Sequence, residues 1–273
     1  GTITSDLAEK WGVSQKVIVV AGGGDNAVAA CGVGALKEGD AFVSLGTSGV
    51  LLAAKDSYFP LPASAVHTFC HAVPGKWYQM GVILAATDSL NWLARNLGDD
   101  AAALSNALGD RISGPNAMQF LPYLSGERTP HNDSAVRGAF LNIDISATCD
   151  DLTQSVMEGV SFALRDSLEA LKSTGTSLNK ALAIGGGSQS PYWLELVATV
   201  LDLPLDVPEK GEFGAALGAA RLAIVGATGA QPDAVMTPPK IARTIHPRTD
   251  LSADYSAAYD RYRSIYPVLK ALP

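Results

Sequence analysis

The sequence predicts an α/β fold, and three observations lead to this class. Two apolar runs typical of strands, 16–21 and 181–184, each end in a glycine-rich turn and are each followed by a segment that favours helix. A third strand-like pair, 41–45 and 50–54, flanks another glycine-rich turn. Apolar residues spaced three or four apart from Leu152 to Leu171 predict a long amphipathic helix. Strands alternating with helices in this way are typical of an α/β protein.

Composition narrows the range of functions. The 273 residues include 27 acidic and 20 basic side chains, a net charge of −7, which argues against nucleic acid as the main partner. Hydrophobic residues make up 47% of the chain, enough for a sizeable core. No apolar run approaches the roughly 20 residues of a membrane-spanning helix. We therefore expect a small-molecule ligand and no membrane partner.

Cysteine usage predicts the compartment. The three cysteines, Cys31, Cys70 and Cys149, are odd in number and form no C-x-x-C pair, so neither a disulfide framework nor a zinc knuckle is indicated. No signal-peptide pattern is visible in residues 1–15. We expect a cytoplasmic protein.

The N-terminal segment is predicted to form a strand, a turn and a helix. Residues 16–21 are a continuous apolar run rich in β-branched residues, the pattern of a strand buried on both faces. The following helix is expected over 27–36, with Asp25 or Asn26 as its N-cap. This places Asp25 on a strand-to-helix turn.

The remaining elements follow from the same patterns. A second hairpin is expected, and helices are expected to alternate with short extended segments to the C-terminus. Four prolines from Pro232 to Pro247 predict a surface linker. Residues 208–211 are predicted to form a loop. The predicted ranges are 66–73 and 77–83 for the hairpin, 85–97, 104–108, 192–201, 215–225 and 255–269 for further helices, and 118–121 and 138–143 for extended segments.

Three glycine-rich turns follow strands, and they predict a phosphate ligand. They are Gly22–Asp25, Gly46–Gly49 and Gly185–Ser188. Glycine allows backbone N–H groups to approach phosphate oxygens, and a following helix adds its positive end. A single such turn is more often structural, but three in one chain favour phosphate. None matches the Walker A pattern or G-x-G-x-x-G, which argues against the ordinary P-loop and Rossmann sites.

Two other groups of polar residues were considered as sites. His67, Cys70 and His71 invite a zinc site, but residues four apart in an extended segment are separated by roughly 13 Å, too far to share one ion. Glu127, Arg128 and His131 belong to a polar loop. Their charges either face an active-site cleft or are locked by internal ion pairs, and the sequence leaves both alternatives open.

Several of these segments together resemble the FGGY carbohydrate kinases, and within that family the xylulokinase branch. Residues 20–26 are similar to the family's catalytic turn, 44–49 to its phosphate hairpin and 184–188 to its adenosine motif. Residues 138–158 are similar to its second signature, with Asn142 in place of the family's glycine. Two segments, 66–72 and 121–131, resemble the xylulokinases more than glycerol or gluconate kinases.

This resemblance implies an actin-like, ribonuclease-H-like ATPase domain of a sugar kinase, with the family's first domain largely absent. Residues 1–37 would be the closing strand and helix of that first domain and would carry the catalytic aspartate. Residues 38–273 would be the C-terminal nucleotide-binding domain. Residues 1–37 are then expected to dock on a second copy in a homodimer, on a separate N-terminal half, or on the second domain in a displaced arrangement.

The resemblance also implies roles for individual residues. Asp25 would accept the proton of a sugar hydroxyl that attacks ATP, and Asn26 would contact the sugar; both could instead be helix-capping residues. Gly46, Thr47, Ser48 and Gly49 would hold the phosphates. The adenosine would contact Gly186, Gly187 and Ser188, which could also merely permit strand-to-helix packing. Mg²⁺ is expected on the nucleotide, without a dedicated protein metal site.

The implied function is ATP-dependent phosphorylation of a ketopentose, and the resemblance favours D-xylulose over other sugars as the substrate. Three alternatives remain at this stage. The chain could be a nucleotide-binding module without catalysis of its own, a kinase of another sugar or polyol in the same family, or an actin-like ATPase or scaffold that does not respond to sugar.

Overall fold

A computed structural model describes residues 1–209 and 214–271. The predicted loop 208–211 therefore lies partly outside the described residues. The elements follow the predicted alternation. In chain order the helices are α1 Ser5–Trp11, α2 Asp25–Val33, α3 Thr87–Leu97, α4 Ala101–Ala107, α5 Cys149–Ser173, α6 Pro191–Leu201, α7 Ala215–Thr228, α8 Pro232–Val235 and α9 Ser252–Lys270.

The strands make one large mixed sheet and one small hairpin. Seven strands are ordered β3-β4-β2-β1-β7-β8-β9, and β5 pairs with β6 separately. The ranges are β1 Ala41–Leu45, β2 Gly49–Lys55, β3 His67–Cys70, β4 Trp77–Ile83, β5 Gln119–Leu121, β6 Ala139–Leu141, β7 Ala181–Ile184, β8 Leu205–Pro208 and β9 Ile241–Ile245. Both predicted hairpins, β1–β2 and β3–β4, are present.

Helices cover both faces of the large sheet. Alternate residues of β1 point to opposite faces: Val43 and Leu45 join the cluster that contains α5 and α6, whereas Phe42 joins the cluster that contains α2. All seven residues of β2 are buried. The carboxyl ends of the parallel neighbours β1 and β7 therefore meet at one edge between two helical layers.

The long helix α5 extends beyond the predicted range of 152–171 at both ends, and it begins at a capping box. The Thr148 hydroxyl accepts the N–H of Asp151, and the Asp151 carboxylate accepts the N–H of Thr148. Just before this helix, Asn142 has a φ of +60°. Asparagine adopts this left-handed conformation more readily than most residues, so Asn142 can occupy the position where the family pattern that the sequence resembles has glycine.

The predicted strand over 16–21 is wrong as to its burial. The segment forms one isolated bridge, between Thr2 and Ile18, and Val17, Ile18 and Val19 are 43–53% exposed. In the described structure its backbone partner is the short segment 1–3, which pairs along one edge and covers neither apolar face. Burial on both faces would need further layers, whereas this segment meets α7 at Val20, which lies beside Gly226, and leaves the three residues before Val20 exposed.

The predicted surface linker over 232–247 is also wrong in part. Residues 241–245 form the edge strand β9, which pairs antiparallel with β8. The Thr244 hydroxyl donates to the Asp206 carboxylate at 2.6 Å. Prolines are tolerated beside an edge strand because one side of it needs no N–H donors. The strand β9 was missed because the prolines that flank it favour a linker and its residues do not alternate between apolar and polar.

Candidate nucleotide and catalytic site

Two of the three glycine-rich turns lie side by side. Strands β1 and β7 are parallel neighbours, with Ser44 opposite Ile184, so the turns that follow them emerge at the same edge of the sheet. Gly185 has a φ of +91°, and a Cβ on it would lie 2.7 Å from the Leu45 carbonyl oxygen. Only glycine fits such a position. The sheet thus brings together two segments that are about 140 residues apart in the sequence.

The hairpin tip is held through its carbonyl groups. The Gly46 carbonyl accepts the Thr87 N–H at 2.9 Å and the Thr87 hydroxyl at 2.8 Å, and the Thr47 carbonyl accepts the Ala86 N–H at 2.8 Å. Within residues 1–209 and 214–271, no hydrogen bond is formed by the N–H groups of Gly46, Thr47 or Ser48. Backbone N–H groups without partners, beside a helix N-terminus, are suited to binding an anion.

Gly49 and Thr47 have different surroundings within this turn. A Cβ on Gly49 would lie 2.6 Å from Ile83 Cγ1, so the absence of a side chain there allows β2 to pack on β4. Thr47 is exposed and Ser48 is half-buried. The residues available to a ligand are therefore Gly46, Thr47 and Ser48. Gly49 instead packs against β4 and does not face a ligand.

A cavity of about 450 Å³ opens beside the second glycine turn. It lies between α3, α4 and α6, and Gly186 and Gly187 form part of its wall. Asn91, Asn106 and Gln189 supply amide groups to the wall. Its volume is in the range of small-molecule sites.

Ser188 does not line this cavity. Its hydroxyl donates to the Gly185 carbonyl at 2.7 Å, and its side chain borders a separate, smaller cavity beside β8. The Ser188 hydroxyl therefore stabilises the turn itself. The sequence pattern could not distinguish this role, because it shows only that Ser188 follows the glycines.

A larger cavity of about 590 Å³ lies at the opposite ends of β1 and β7. Its acidic groups already have partners: Asp40 accepts the N–H groups of Leu36 and Lys37, and Asp206 accepts Lys180 and Thr244. The smaller cavity at the carboxyl ends of the strands is therefore the better candidate for a ligand.

Asp25 is the first residue of α2, and Gly24 is the N-cap, so the prediction of Asp25 or Asn26 as N-cap is wrong by one residue. The exposed Asp25 carboxylate accepts the Asn26 backbone N–H at 2.7 Å and the Asn26 side-chain amide at 3.2 Å. One Asp25 oxygen thus has two donors. In the part of the chain that the structure describes, no hydrogen bond joins Asp25 to either of the other glycine turns.

Helix α2 packs closely against α7. A Cβ on Gly218 would collide with the Val28 carbonyl oxygen, so the two helices approach through glycine. At the other end of α2, Arg221 donates to the Cys31 and Gly32 carbonyls at 3.1 and 2.8 Å.

The polar loop 125–132 does not contain the ion pairs that one alternative supposed. Glu127 is 2% exposed, and burial raises its pKa to about 8. The His131 ring stacks on Tyr266 at 3.6 Å between centroids, whereas Arg128 is exposed. The sequence analysis missed Thr87; its signal was a threonine at the start of a helix that directly follows a strand.

No cluster of three or more His, Cys, Asp or Glu side chains suitable for a metal ion occurs in the described ranges. The two adjacent glycine turns offer N–H groups, which bind phosphate and not metal. In the same residues, no helix has the length and apolar character needed to cross a membrane.

Comparisons with known proteins identify the family and the fold. The chain is 38% identical over 274 residues to a xylulose kinase of Escherichia coli (strain K12), covering 100% of this chain and 56% of that protein. A solved structure of a xyloylose kinase from Brucella ovis superposes with a TM-score of 0.95 at 52% identity, covering 100% of this chain and 56% of the other. A xylulose kinase from Rhodospirillum rubrum gives a TM-score of 0.85 at 26% identity, covering 99% and 55%.

The chain therefore spans about half the length of the relatives that it matches. Residues 41–227 match the model of the C-terminal domain of the FGGY family of carbohydrate kinases. The predicted actin-like fold of a sugar-kinase ATPase domain is confirmed by these structural neighbours. On this evidence the chain belongs to the FGGY family of carbohydrate kinases.

Proposed function

We propose that this protein catalyses the ATP-dependent phosphorylation of a ketopentose, with D-xylulose as substrate and D-xylulose 5-phosphate as product. The observation that carries the proposal is the pair of adjacent glycine turns, with N–H groups of the first left without partners and a cavity beside the second. The choice of sugar rests on relatives that are named xylulose kinases.

In this proposal the nucleotide spans both turns. The β- and γ-phosphates bind the N–H groups of Gly46, Thr47 and Ser48, and the Thr47 hydroxyl adds a further donor. The adenosine enters the cavity that Gly186 and Gly187 border. Ser188 shapes the second turn and does not contact the ligand, and Gly49 supports the first. Mg²⁺ would be held mainly by the ATP phosphates that Gly46, Thr47 and Ser48 bind, and it would supply charge neutralisation there.

Asp25 is the proposed general base. Its carboxylate takes the proton of the terminal sugar hydroxyl, whose oxygen forms a bond to the γ-phosphorus while the bond from that phosphorus to the β,γ-bridging oxygen breaks. ADP leaves, and the proton remains on Asp25 until solvent takes it. Phosphoryl transfer depends mainly on positioning and electrostatics, so one well-placed carboxylate suffices. Asn26, hydrogen-bonded to Asp25, would orient the sugar hydroxyl.

In this proposal the catalytic base and the nucleotide site lie on different sides of the domain boundary expected from the sequence. Residues 1–37 contribute the base, and residues 38–273 contribute the nucleotide site. The exposed segment 16–21 would pair with a second copy of the chain or with a separate N-terminal half, and we place the reaction in the cytoplasm. Both the ATP and the sugar are small-molecule partners.

The direct test is sugar-dependent ADP release, measured with D-xylulose and Mg·ATP for the wild type, Asp25→Asn and Thr47→Val. We expect Asp25→Asn to lower kcat by about 10²- to 10⁴-fold, because the base is lost while the shape is kept. Thr47→Val should raise the KM for ATP. Turnover of Asp25→Asn within a few-fold of the wild type would contradict the catalytic role.

A second candidate is a nucleotide-binding module without catalysis of its own, and it is motivated by the chain's half-length match to its relatives. Calorimetric titration of Mg·ADP into this chain separates the candidates. Binding without sugar-dependent ADP release would favour the module. Release by this chain alone would exclude it. ATP hydrolysis that no sugar stimulates would favour an actin-like ATPase.

A further inference from the structure

Glu127 is a buried carboxyl group that the proposed reaction does not use. Its Oε1 accepts the N–H groups of Leu84 at 3.0 Å and Arg128 at 2.8 Å. Its Oε2 is buried and has no hydrogen-bond partner among the residues that the structure describes. A buried carboxyl group with an unsatisfied oxygen lowers stability, so stability alone does not account for Glu127 at this position.

The loop that carries Glu127 is clamped to the end of β4. Glu127 and Asp133 exchange two backbone hydrogen bonds of 2.8 Å, which close the loop. Thr129 accepts the Val82 N–H at 3.1 Å through its hydroxyl, and that hydroxyl donates to the Ala65 carbonyl at 3.0 Å. The Thr129 N–H also donates to the Val82 carbonyl. Glu127 is therefore held in a fixed place relative to the sheet.

The group that Glu127 holds is the start of the turn 84–87, which connects β4 to α3. The same turn donates three hydrogen bonds to the hairpin tip, from Ala86 N–H, Thr87 N–H and the Thr87 hydroxyl. It also touches the second glycine turn, since a Cβ on Gly187 would lie 3.1 Å from Thr87 Cγ2. One short turn thus contacts both proposed parts of the nucleotide site.

We propose that Glu127 is a positioning residue for the nucleotide: its carboxyl group fixes Leu84, and the turn 84–87 then orients the N–H groups of Gly46, Thr47 and Ser48 toward the phosphates. This inference rests on the proposed nucleotide site. Glu127 does not touch the ligand and acts through the turn.

The charge state of Glu127 decides which variant is the conservative one. Burial is the main cause of its raised pKa of about 8, and Asp166 on α5 acts in the same direction, while Arg128 and the two N–H donors oppose them. Tyr123 and Tyr262 also lie near this carboxyl group. Near pH 7 the group is mainly protonated, so glutamine reproduces its shape, its neutral charge and the acceptor for Leu84.

The first test is amide hydrogen exchange, followed by NMR, in the wild type, Glu127→Ala and Glu127→Gln. We expect Glu127→Ala to accelerate exchange of the Ala86 and Thr87 N–H groups by about tenfold relative to Leu52 in β2, because the turn opens locally. Glu127→Gln should remain near the wild type. The matched control is Glu158→Gln, another buried carboxyl group with a raised pKa, which contacts Asn116 and Gln154 and not the turn.

The second test is titration of Mg·ADP into the same variants. We expect Glu127→Ala to raise the Kd by about five- to tenfold, or roughly 1 kcal/mol, with Glu127→Gln and Glu158→Gln near the wild type. Unchanged exchange in Glu127→Ala, equal acceleration in Glu158→Gln, or selective exchange without weaker binding would each overturn the proposal. If Glu127→Ala fails to fold, Glu127→Asp should show intermediate effects in both tests.

Failure of the nucleotide site itself is distinguishable. If the wild-type chain does not bind Mg·ADP, the proposed nucleotide site fails, and the positioning role for a nucleotide fails with it. The exchange data then still report whether Glu127 holds the turn. If the wild type binds and Glu127→Ala binds equally well, the proposed nucleotide site stands and only the role of Glu127 is wrong.

Discussion

Gly187 packs directly on Leu45: a Cβ added to Gly187 would lie 2.8 Å from the Leu45 Cβ. Leu45 is the last residue of β1, immediately before the hairpin tip, and Gly187 belongs to the turn after β7. The contact therefore joins the two parts of the proposed nucleotide site. The neighbouring Gly186 has nothing within 4 Å of an added Cβ.

This difference predicts that two matched substitutions affect different properties, one the stability of the fold and the other ligand binding. Gly187→Ala should lower the free energy of unfolding by about 1–3 kcal/mol, because Leu45 and Thr87 must shift. Gly186→Ala should leave stability near the wild type but weaken Mg·ADP binding, since its methyl group enters the cavity. Urea denaturation and calorimetry measure the two effects. Equal stability of both variants would contradict the packing argument.

The raised pKa of Glu127 predicts a pH dependence of stability. The pKa of Glu127 is about 8 in the folded protein, compared with an ordinary value of 4.5. Between these pH values the folded state binds more protons than the unfolded state. The resulting contribution to the free energy of unfolding is therefore fully present below pH 4.5 and is lost as the pH rises through 8. Glu158 and Asp166, with pKa values raised by burial to about 7 and about 6, act in the same direction.

Glu127→Gln removes one of these three contributions. The free energy of unfolding should therefore fall less steeply from pH 5 to pH 8 in Glu127→Gln than in the wild type, as measured by urea denaturation at each pH. Absolute stabilities are not the readout, because glutamine also places an amide at the unpartnered Oε2 position. Parallel curves for the two proteins would count against a perturbed Glu127.

The C-terminal helix is attached partly through a buried polar pair. The Tyr259 hydroxyl donates to the Asp166 carboxyl group at 2.6 Å, and both side chains are buried. Tyr259→Phe should lower the free energy of unfolding by about 1–3 kcal/mol, because Asp166 keeps its buried position without this donor. Tyr266→Phe, on the same helix, removes a hydroxyl that donates to the half-buried Asp133, which follows the polar loop 125–132, and this change should cost less. The reverse order, in denaturant titrations, would refute this explanation.

The left-handed Asn142 allows a clean test of backbone conformation. Asn142→Gly and Asn142→Ala both lose the hydrogen bond from the side-chain amide to the Ala117 carbonyl. They differ in the Cβ, which a φ of +60° penalises. We expect the alanine variant to be less stable than the glycine variant by about 1 kcal/mol in thermal or urea denaturation. An alanine variant as stable as the glycine variant would exclude strain at this position.

The contact between α2 and α7 predicts that one glycine controls the helix that carries Asp25. Gly218→Ala should cost about 1–3 kcal/mol or displace α2, because the added Cβ meets a backbone oxygen. Gly226→Ala, on the same helix, has the Val20 side chain as its nearest neighbour. The largely exposed segment that carries Val20 can shift at a smaller cost than the backbone of a packed helix, and alanine raises helix propensity. Thermal denaturation should rank Gly226→Ala above Gly218→Ala; the opposite ranking would contradict the close approach.

The sequence by itself determined the local elements and the motifs. The apolar period from Leu152 to Leu171 predicted α5, glycine between two apolar runs predicted the hairpin β1–β2, and the glycine turns with their resemblance to the FGGY kinases indicated the family. These features depend on residues that are near one another in the chain, where propensity and period act directly. The same information drew attention to Asp25 and Thr47.

Only the tertiary structure decided which residues meet. Parallel pairing of β1 with β7 brings Gly46 beside Gly185, and no local pattern encodes that pairing because it joins distant segments. The edge strand β9 was hidden by prolines, and the segment 16–21 reads as buried although its neighbours in the fold leave it exposed. The hydrogen bond of Ser188 to Gly185 and the burial of Glu127 were also decided by tertiary packing. The sequence specifies such partners and burial only through the whole fold.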